Sequence, residues 1–268
     1  MNVDISSWRG DWALVTGASC GIGLAFCRAL AAEGMNLVLV ARRADVLNEL
    51  AVSLARDTGV KCLVLAHDLS EPDAPTELLR RVGEEGIRIR LLVNNAGAGH
   101  WGRFAGASAD VHRQQMTLNA VAPVVLCRLF ADDLASFKGA AVINLSSPAV
   151  YQPVPYMAAY AASKSAVHSF SLALSEEWRS LGVVVQTLVP GPTATEFDAR
   201  AGAYGSALGE ARASVESVVA ASLGGLKRGD VLVTTAKGVF GQRIFGGLFP
   251  PAFVVRKVAA MFRPPDEH

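Results

Sequence analysis

Tyr160 and Lys164 stand four residues apart in the run Tyr160-Ala-Ala-Ser-Lys164. On a helix, side chains at i and i+4 leave from the same face. An ammonium there lies close to a phenol whose free pKa is about 10, and a neighbouring positive charge favours the phenolate. Such a pair could give and take a proton near neutral pH. The spacing alone is common on solvated helix faces, so its meaning depends on what surrounds it. Tyr156 lies one turn earlier but has no lysine four residues on, which sets it aside as the acid.

A second chemical signal opens the chain. Thr16-Gly17-Ala18-Ser19-Cys20-Gly21-Ile22-Gly23 follows an apolar run directly and leads into a helical pattern. Strand, glycine turn and helix in that order are what a dinucleotide phosphate requires. Gly17 permits the sharp turn, Gly21 lets the backbone approach a pyrophosphate, and Gly23 lets the helix pack closely on the sheet. The helix N-terminus supplies N–H groups to the phosphates.

The elements that must hold these groups follow from hydrophobic patterning. Apolar runs at 12–16, 36–40, 62–66, 91–93, 141–145 and 183–189 read as buried strands, with a shorter one at 231–234. Helical patterns occupy 21–33, 45–56, 72–85, 109–134 and 157–180. Continuous apolar strands separated by helices indicate a parallel sheet covered on both faces, and right-handed crossovers make it doubly wound. The glycine-rich stretch 199–209 reads either as a lid or as a surface excursion, leading into a helix near 210–223.

Length and charge narrow the function. The 268 residues suit one large domain, and a net charge of +1 argues against nucleic acid as the partner. Cys20, Cys27, Cys62 and Cys127 form no Cys-x-x-Cys pair or Cys/His cluster, so they read as packing residues in a reducing compartment and no metal is expected. The start Met1-Asn2-Val3-Asp4-Ile5 lacks the pattern of a secretory signal, and no apolar stretch is long enough to span a membrane. A soluble cytoplasmic protein is expected.

The glycine spacing, Gly-x-x-x-Gly-x-Gly after Thr16, resembles the short-chain dehydrogenase/reductase family. Further matches come in order: Asn94-Asn95-Ala96-Gly97 after the fourth strand, Asn119, Ser146-Ser147, Tyr160 and Lys164, and Pro190-Gly191-Pro192-Thr193-Ala194-Thr195 after the sixth strand. The resemblance spans roughly residues 10–200. It implies a single-domain, Rossmann-like, seven-stranded α/β fold over 1–235 and hydride exchange with a nicotinamide cofactor. It also implies that Tyr160 is the proton donor or acceptor, that Lys164 lowers the Tyr160 pKa and holds the nicotinamide ribose, and that Asn119 connects Lys164 to solvent through water. Ser147, rather than Ser146, has the family's spacing to Tyr160 and would polarise the substrate carbonyl. The cofactor would lie against Gly17, Ser19, Cys20, Gly21, Ile22, Gly23, Asn95, Ala96, Gly97, Tyr160, Lys164, Pro190, Gly191, Thr193 and Thr195. A homodimer or homotetramer is the assembly expected.

The second strand ends in Val40-Ala41-Arg42-Arg43, where a dinucleotide's adenosine ribose is read. An acidic residue there would favour NAD; Ala41 and Arg42 instead suit the 2′-phosphate of NADP(H) through charge-assisted bonds. Cys20 stands where some NADP-using relatives carry a second basic residue. Asp68-Leu69 resembles the family's adenine-contacting pair, although Asp68 could equally cap the helix starting near residue 72.

Trp101, Tyr151 and Tyr156, with Ser147, are the candidate lining of an apolar substrate pocket. His100 reads more simply as a surface residue. The segment 236–268 is basic and apolar: no Asp or Glu occurs from Val231 to Pro265, while Lys237, Arg243, Arg256, Lys257 and Arg263 do. Residues 253–262 read as a short basic amphipathic helix that could rest on a membrane surface, cover the pocket or touch a partner subunit. The leading reading is an NADP(H)-dependent carbonyl reductase or alcohol dehydrogenase acting on a lipophilic ketone or alcohol, fatty-acyl or steroid-like. The other is a non-catalytic NADP(H)-binding sensor or scaffold on the same fold.

Overall fold

The computed structural model describes residues 2–202 and 212–264. Seven strands pair in parallel: β1 (Trp12–Thr16), β2 (Asn36–Ala41), β3 (Cys62–Ala66), β4 (Ile89–Asn94), β5 (Ala140–Leu145), β6 (Val183–Val189) and β7 (Leu232–Thr234). Their order in the sheet is β3-β2-β1-β4-β5-β6-β7. Every residue of β5 and β6 is buried, as a strand covered on both faces requires. Side chains alternate between two cores: Leu37 and Leu39 enter one, Val38 and Val40 the other.

The helices are α1 (Gly21–Ala32), α2 (Ala44–Thr58), α3 (Ala74–Glu84), α4 (Ala109–Met116), α5 (Ala122–Leu129), α6 (Ala131–Ala135), α7 (Ala158–Glu177), α8 (Phe197–Arg200), α9 (Val215–Arg228), α10 (Val239–Leu248) and α11 (Pro251–Phe262). Phe26 and Leu30 of α1, Leu47 of α2 and Leu226 of α9 build the first core. Leu78 of α3, Leu126 of α5 and Leu174 of α7 build the second. Removing a side chain such as Leu30, fully buried, to alanine costs about 2–5 kcal/mol. The sheet order reverses beside β1, and ligands of such sheets bind beyond the strand ends at that switch point.

Three expectations need correction. The helix expected over 109–134 is broken by a π-helical segment, Thr117–Val121, and again at Phe130. Pro123 explains the first break. It has no N–H to give the Asn119 carbonyl four residues back, and its ring would clash with that carbonyl. The ladder widens instead, and the Ala122 N–H reaches Thr117 O. The helix expected near 210–223 runs over Val215–Arg228, where Ser214 caps it by accepting from the Ser217 N–H. Within the expected loop 199–209, α8 already turns through Phe197–Arg200; the rest of that expectation, 203–211, lies outside the described residues. A helix at α10 was not expected from its sequence. Among the described residues no helix is long and apolar enough to cross a membrane, and no group of residues is arranged to hold a metal ion.

Candidate active site

At the end of β1 the chain turns through Gly17 (φ +68°) and Gly21 (φ +55°), both left-handed and favourable only for glycine. Gly23 is required for a different reason: a Cβ there would lie 2.2 Å from Gly17 O and 2.4 Å from Asn95 Nδ2. The turn is latched to the end of β4. The Thr16 hydroxyl accepts from the N–H groups of Asn95 (3.0 Å) and Ala96 (2.9 Å), and Asn95 Nδ2 donates to Thr16 O at 2.9 Å. On the far side, Gly191 N donates to Thr235 Oγ1 (3.2 Å), Thr193 Oγ1 donates to Gly191 O (2.7 Å), and Thr195 abuts Gly21. A groove of about 470 Å³ runs there between Gly21, Leu24, Arg28, Thr195 and Arg212. Half-buried Pro190 precedes it, and Ile22 packs on the first core.

The two arginines after β2 separate. The Arg43 guanidinium donates to Ser19 Oγ (3.2 Å) and Ser19 O (3.3 Å), which ties it to the glycine turn. Arg42 is 70% exposed and reaches Asp68 Oδ2 at 3.6 Å. Asp68 Oδ1 accepts from Ser70 N (3.0 Å) and Ser70 Oγ (2.7 Å). Partial burial pushes the Asp68 carboxyl up, but the Ser70 bonds and Arg42 outweigh it and hold it below the usual carboxylate range. Asp68 therefore makes its own turn, whereas the N-cap of α3 is Asp73. Leu69 is buried in the second core. Cys20, the N-cap of α1, accepts from Arg200 Nη1 at 3.7 Å. A hollow of about 130 Å³ opens between Arg42, Asp68, Gly99, His100 and Gln115. His100 is half-buried there, edge-on to His112, rather than a plain surface residue.

Beyond β5 the two serines part. Ser146 is buried and donates to Lys164 O at 3.2 Å, holding the strand end to α7. Ser147 accepts from Ala149 N (3.2 Å) and hydrogen-bonds the Tyr160 phenol. Burial pushes the phenol above its ordinary value; the Ser147 bond opposes this, and the Asp198 carboxylate adds to it. The lowering expected from Lys164 is not seen in this state, where burial governs the phenol. The Tyr160 ring tilts against Phe197 with centroids 5.5 Å apart.

Lys164 is 5% exposed and donates through Nζ to Leu145 O at 2.9 Å. Desolvation lowers its pKa to about 8. Asn119, in the π segment, donates to Ala98 O (2.8 Å) and Ser163 Oγ (3.1 Å) and accepts from Ala98 N (2.9 Å). A Cβ on Gly97 would meet Asn119 Oδ1 at 3.4 Å and Lys164 Nζ at 3.5 Å, so the backbone after Asn95 converges with both.

The Lys164 shift carries a stability prediction. Below about pH 8 the ammonium is present folded and unfolded, and its burial cost is fully felt. Between there and its ordinary value of 10.5 only the unfolded chain keeps the proton, so the lysine's contribution to stability rises with pH. The unfolding free energy of wild type minus that of Lys164→Met should rise by about 3 kcal/mol across this window, read from urea titrations at successive pH values. A flat difference would place the ammonium in solvent.

The candidate pocket residues are held by different elements. Trp101 is tied to both ends of the site's outer rim: its N–H donates to Ala201 O (2.9 Å) and its Nε1 to Phe262 O (2.7 Å) at the end of α11. Tyr156 takes a left-handed φ of +65° and accepts from Gly102 N. Tyr151 packs edge-on against His168 of α7, and its carbonyl faces Gly246 of α10. Val254 and Val258 of α11 are buried with Val154 and Ala161, so the C-terminal helices pack on the Ser147–Tyr160 side of the domain.

Sequence reasoning overlooked the supporting residues. Thr16 latches the glycine turn, and a buried chain runs from Asn94 to Asn144 (2.8 Å) to Ser171 (2.9 Å) beneath the cluster. Asparagines inside two apolar strands were the available signal, since a buried amide must find partners. Phe197 carried none.

A doubly wound sheet, a glycine turn at its switch point, a serine pair at the end of β5 and a Tyr-Lys pair on α7 together define a Rossmann-like, dinucleotide-binding class of protein. A sequence-family model described as short chain dehydrogenase matches residues 11–204, and the chain belongs to the short-chain dehydrogenase family of oxidoreductases. It is 31% identical over 199 residues to the very-long-chain 3-oxoacyl-CoA reductase of Bos taurus, covering 72% of this chain and 62% of that one. To the 17-beta-hydroxysteroid dehydrogenase type 3 of Mus musculus it is 33% identical, covering 68% and 59%. The chain thus matches about three fifths of these relatives' length. Among solved structures, a short-chain dehydrogenase from Sphingobium yanoikuyae in complex with NADPH is similar with a TM-score of 0.79 and 32% identity, over 86% of this chain and 91% of that one. A 7beta-hydroxysteroid dehydrogenase structure gives a TM-score of 0.84 at 25% identity, over 97% and 100%.

Proposed function

We propose that this chain is an NADP(H)-dependent oxidoreductase interconverting a lipophilic ketone and its secondary alcohol, of the carbonyl reductase or alcohol dehydrogenase type. The observation that carries it is the pairing of Ser147 with the Tyr160 phenol, with buried Lys164 one turn further along the same helix. The names of the relatives, a very-long-chain 3-oxoacyl-CoA reductase and a hydroxysteroid dehydrogenase, support a lipophilic substrate. We assign the catalytic domain to 1–235 and an extension to 236–268.

The residues present fit NADP(H). Gly23 and Gly97 leave bare backbone where a side chain would clash or crowd the lysine, and Arg42 offers an exposed guanidinium beyond β2. Gly17, Ser19 and Gly21 would hold the phosphates, Arg42 the 2′-phosphate with Arg43 steadying the turn, and Thr193 and Thr195 the far wall. When bound, NADP(H) supplies or accepts the hydride. Ser147 orients the substrate oxygen through its hydroxyl, and Tyr160 Oη gives that oxygen a proton. Burial keeps the phenol protonated at neutral pH, which suits the reducing direction. Lys164, 5% exposed on the same helix face, lets positive charge follow the proton, and Asn119 fixes the π turn that supports it.

Arg42→Asp should weaken NADPH binding far more than NADH binding, by about tenfold or more for a lost charge-assisted contact, in fluorescence titrations of both cofactors. Equal losses would show that Arg42 does not read the 2′-phosphate. The reaction itself is tested by NADPH consumption against carbonyls of rising apolarity: turnover should favour long acyl chains and steroid ketones, and silence across the panel alongside tight NADPH binding would favour a sensor. Exposed Val111 on α4, Val121 in the π segment and Val124 on α5 support a contact between copies in a homodimer or homotetramer. Four free thiols, two of them buried, suit a reducing, cytoplasmic setting.

A further inference from the structure

We propose that the outer face of the α10–α11 hairpin docks on an anionic lipid surface, holding the substrate side of the domain against the bilayer. The hairpin has two distinct faces. Its inner face is committed to the domain: Val254 and Val258 are buried against Val154 and Ala161, a Cβ on Gly246 would fall 2.5 Å from Tyr151 O, and Trp101 Nε1 holds the Phe262 carbonyl. That anchoring fixes the orientation of whatever the outer face touches.

The outer face is apolar with a basic rim. Ile244, Leu248, Phe249, Phe253 and Met261 are all exposed, Leu248 by 75%. The rings of exposed Phe249 and Phe253 lie 5.5 Å apart and rest on Phe245, which packs on the inner cluster, at 5.0 and 6.1 Å. Lys257 stands 5.8 Å over the Phe253 ring, and Arg256, Lys257 and Arg263 are exposed beside it. Large apolar side chains next to cations are the arrangement that sinks into the headgroup boundary while the charges meet lipid phosphates and carboxylates.

Charge selects lipid over a second copy of the chain. From Val231 to Pro265 there is no Asp or Glu. A two-fold contact sets a patch against itself, so Arg256 and Lys257 would approach their own counterparts with no carboxylate in the segment to answer them. An anionic bilayer answers every one of them and accepts the apolar side chains as well. A dock here would bring the Ser147–Tyr160 loop, against which α11 packs, close to lipid. The orientation, though not the dock, rests on the lipophilic-substrate reading above.

The test is flotation of the full chain with phosphatidylcholine vesicles containing about a third phosphatidylserine, against phosphatidylcholine alone. The protein should rise with the anionic vesicles, stay down with the neutral ones, and be released by salt. Arg256→Gln/Lys257→Gln should weaken binding roughly thirtyfold, at about fivefold per lost charge beyond coupling between them, and Leu248→Glu should abolish it. Turnover of all three proteins on a water-soluble carbonyl should be equal. Failure to float, or equal flotation of wild type and variants, would overturn the dock. So would Leu248→Glu lowering the mass seen by light scattering without changing flotation, which would make the face a contact between copies. Flotation needs neither cofactor nor substrate, so each of these failures leaves the proposed reaction standing.

Discussion

Tyr160→Phe should lower kcat by about 10³–10⁴-fold, the upper part of the range for loss of a positioned acid, while NADPH binding stays unchanged. The substitution is conservative in every respect but one. The ring keeps its place against Phe197, and its i, i+4 relation to Lys164 is untouched. Ser147 loses a hydrogen bond but retains the one from Ala149 N, so no buried hydroxyl is left stranded. What disappears is the oxygen that moves the proton. The direction of the phenol's shift adds a second expectation. Because burial raises its pKa, the oxidising direction, which needs the phenolate, should gain rate as pH rises, while the reducing direction stays level through neutrality. Steady-state rates in both directions and a fluorescence titration of NADPH check this. Near-normal turnover in Tyr160→Phe would remove the residue from the chemistry.

Gly23→Ala should weaken NADPH binding by about ten- to hundredfold, with overpacking costs of roughly 1–3 kcal/mol falling on the cofactor turn. The added methyl would meet the Gly17 carbonyl and the Asn95 amide, neither of which can move alone. Asn95 is held to Thr16 O by its side chain and to the Thr16 hydroxyl by its N–H. Relief therefore has to open the latch between β1 and β4, and the phosphate cradle opens with it. Gly83→Ala is the control. It sits in α3 with nothing within 4 Å of a new Cβ, so it should leave NADPH binding alone and stabilise the protein by roughly 0.5–1 kcal/mol. Isothermal titration and thermal melts separate the two, and unchanged NADPH affinity in Gly23→Ala would mean the turn does not carry the phosphates.

The sheet was legible because strands buried on both faces must be written as unbroken apolar runs; β1 and β6 fall on the expected residues, and so does the half-buried edge strand β3. The π turn at Asn119 was legible in principle, through Pro123, but one long amphipathic pattern concealed it. The helix α10 was not legible, since Gly241, Gly246 and Gly247 lower its intrinsic preference and packing on Tyr151 compensates. Within the site, the spacing of Tyr160 and Lys164 announced the pair. Its electrostatics were hidden because desolvation is a tertiary quantity: the lysine was expected to pull the phenol down, and burial pushes it up. The partner of Trp101, Phe262, lies 161 residues along the chain, beyond any local pattern.

The reaction proposed for this cluster is hydride transfer between NADP(H) and a lipophilic carbonyl. It is tested by supplying NADPH dideuterated at C4 of the nicotinamide, so that either hydrogen carries the label, and analysing the product of a steroid or long-chain ketone by mass spectrometry. The product should be an alcohol carrying one deuterium, formed by wild type and almost absent with Tyr160→Phe. Recovery of unreacted ketone with NADPH bound, or of alcohol without the label, would contradict it.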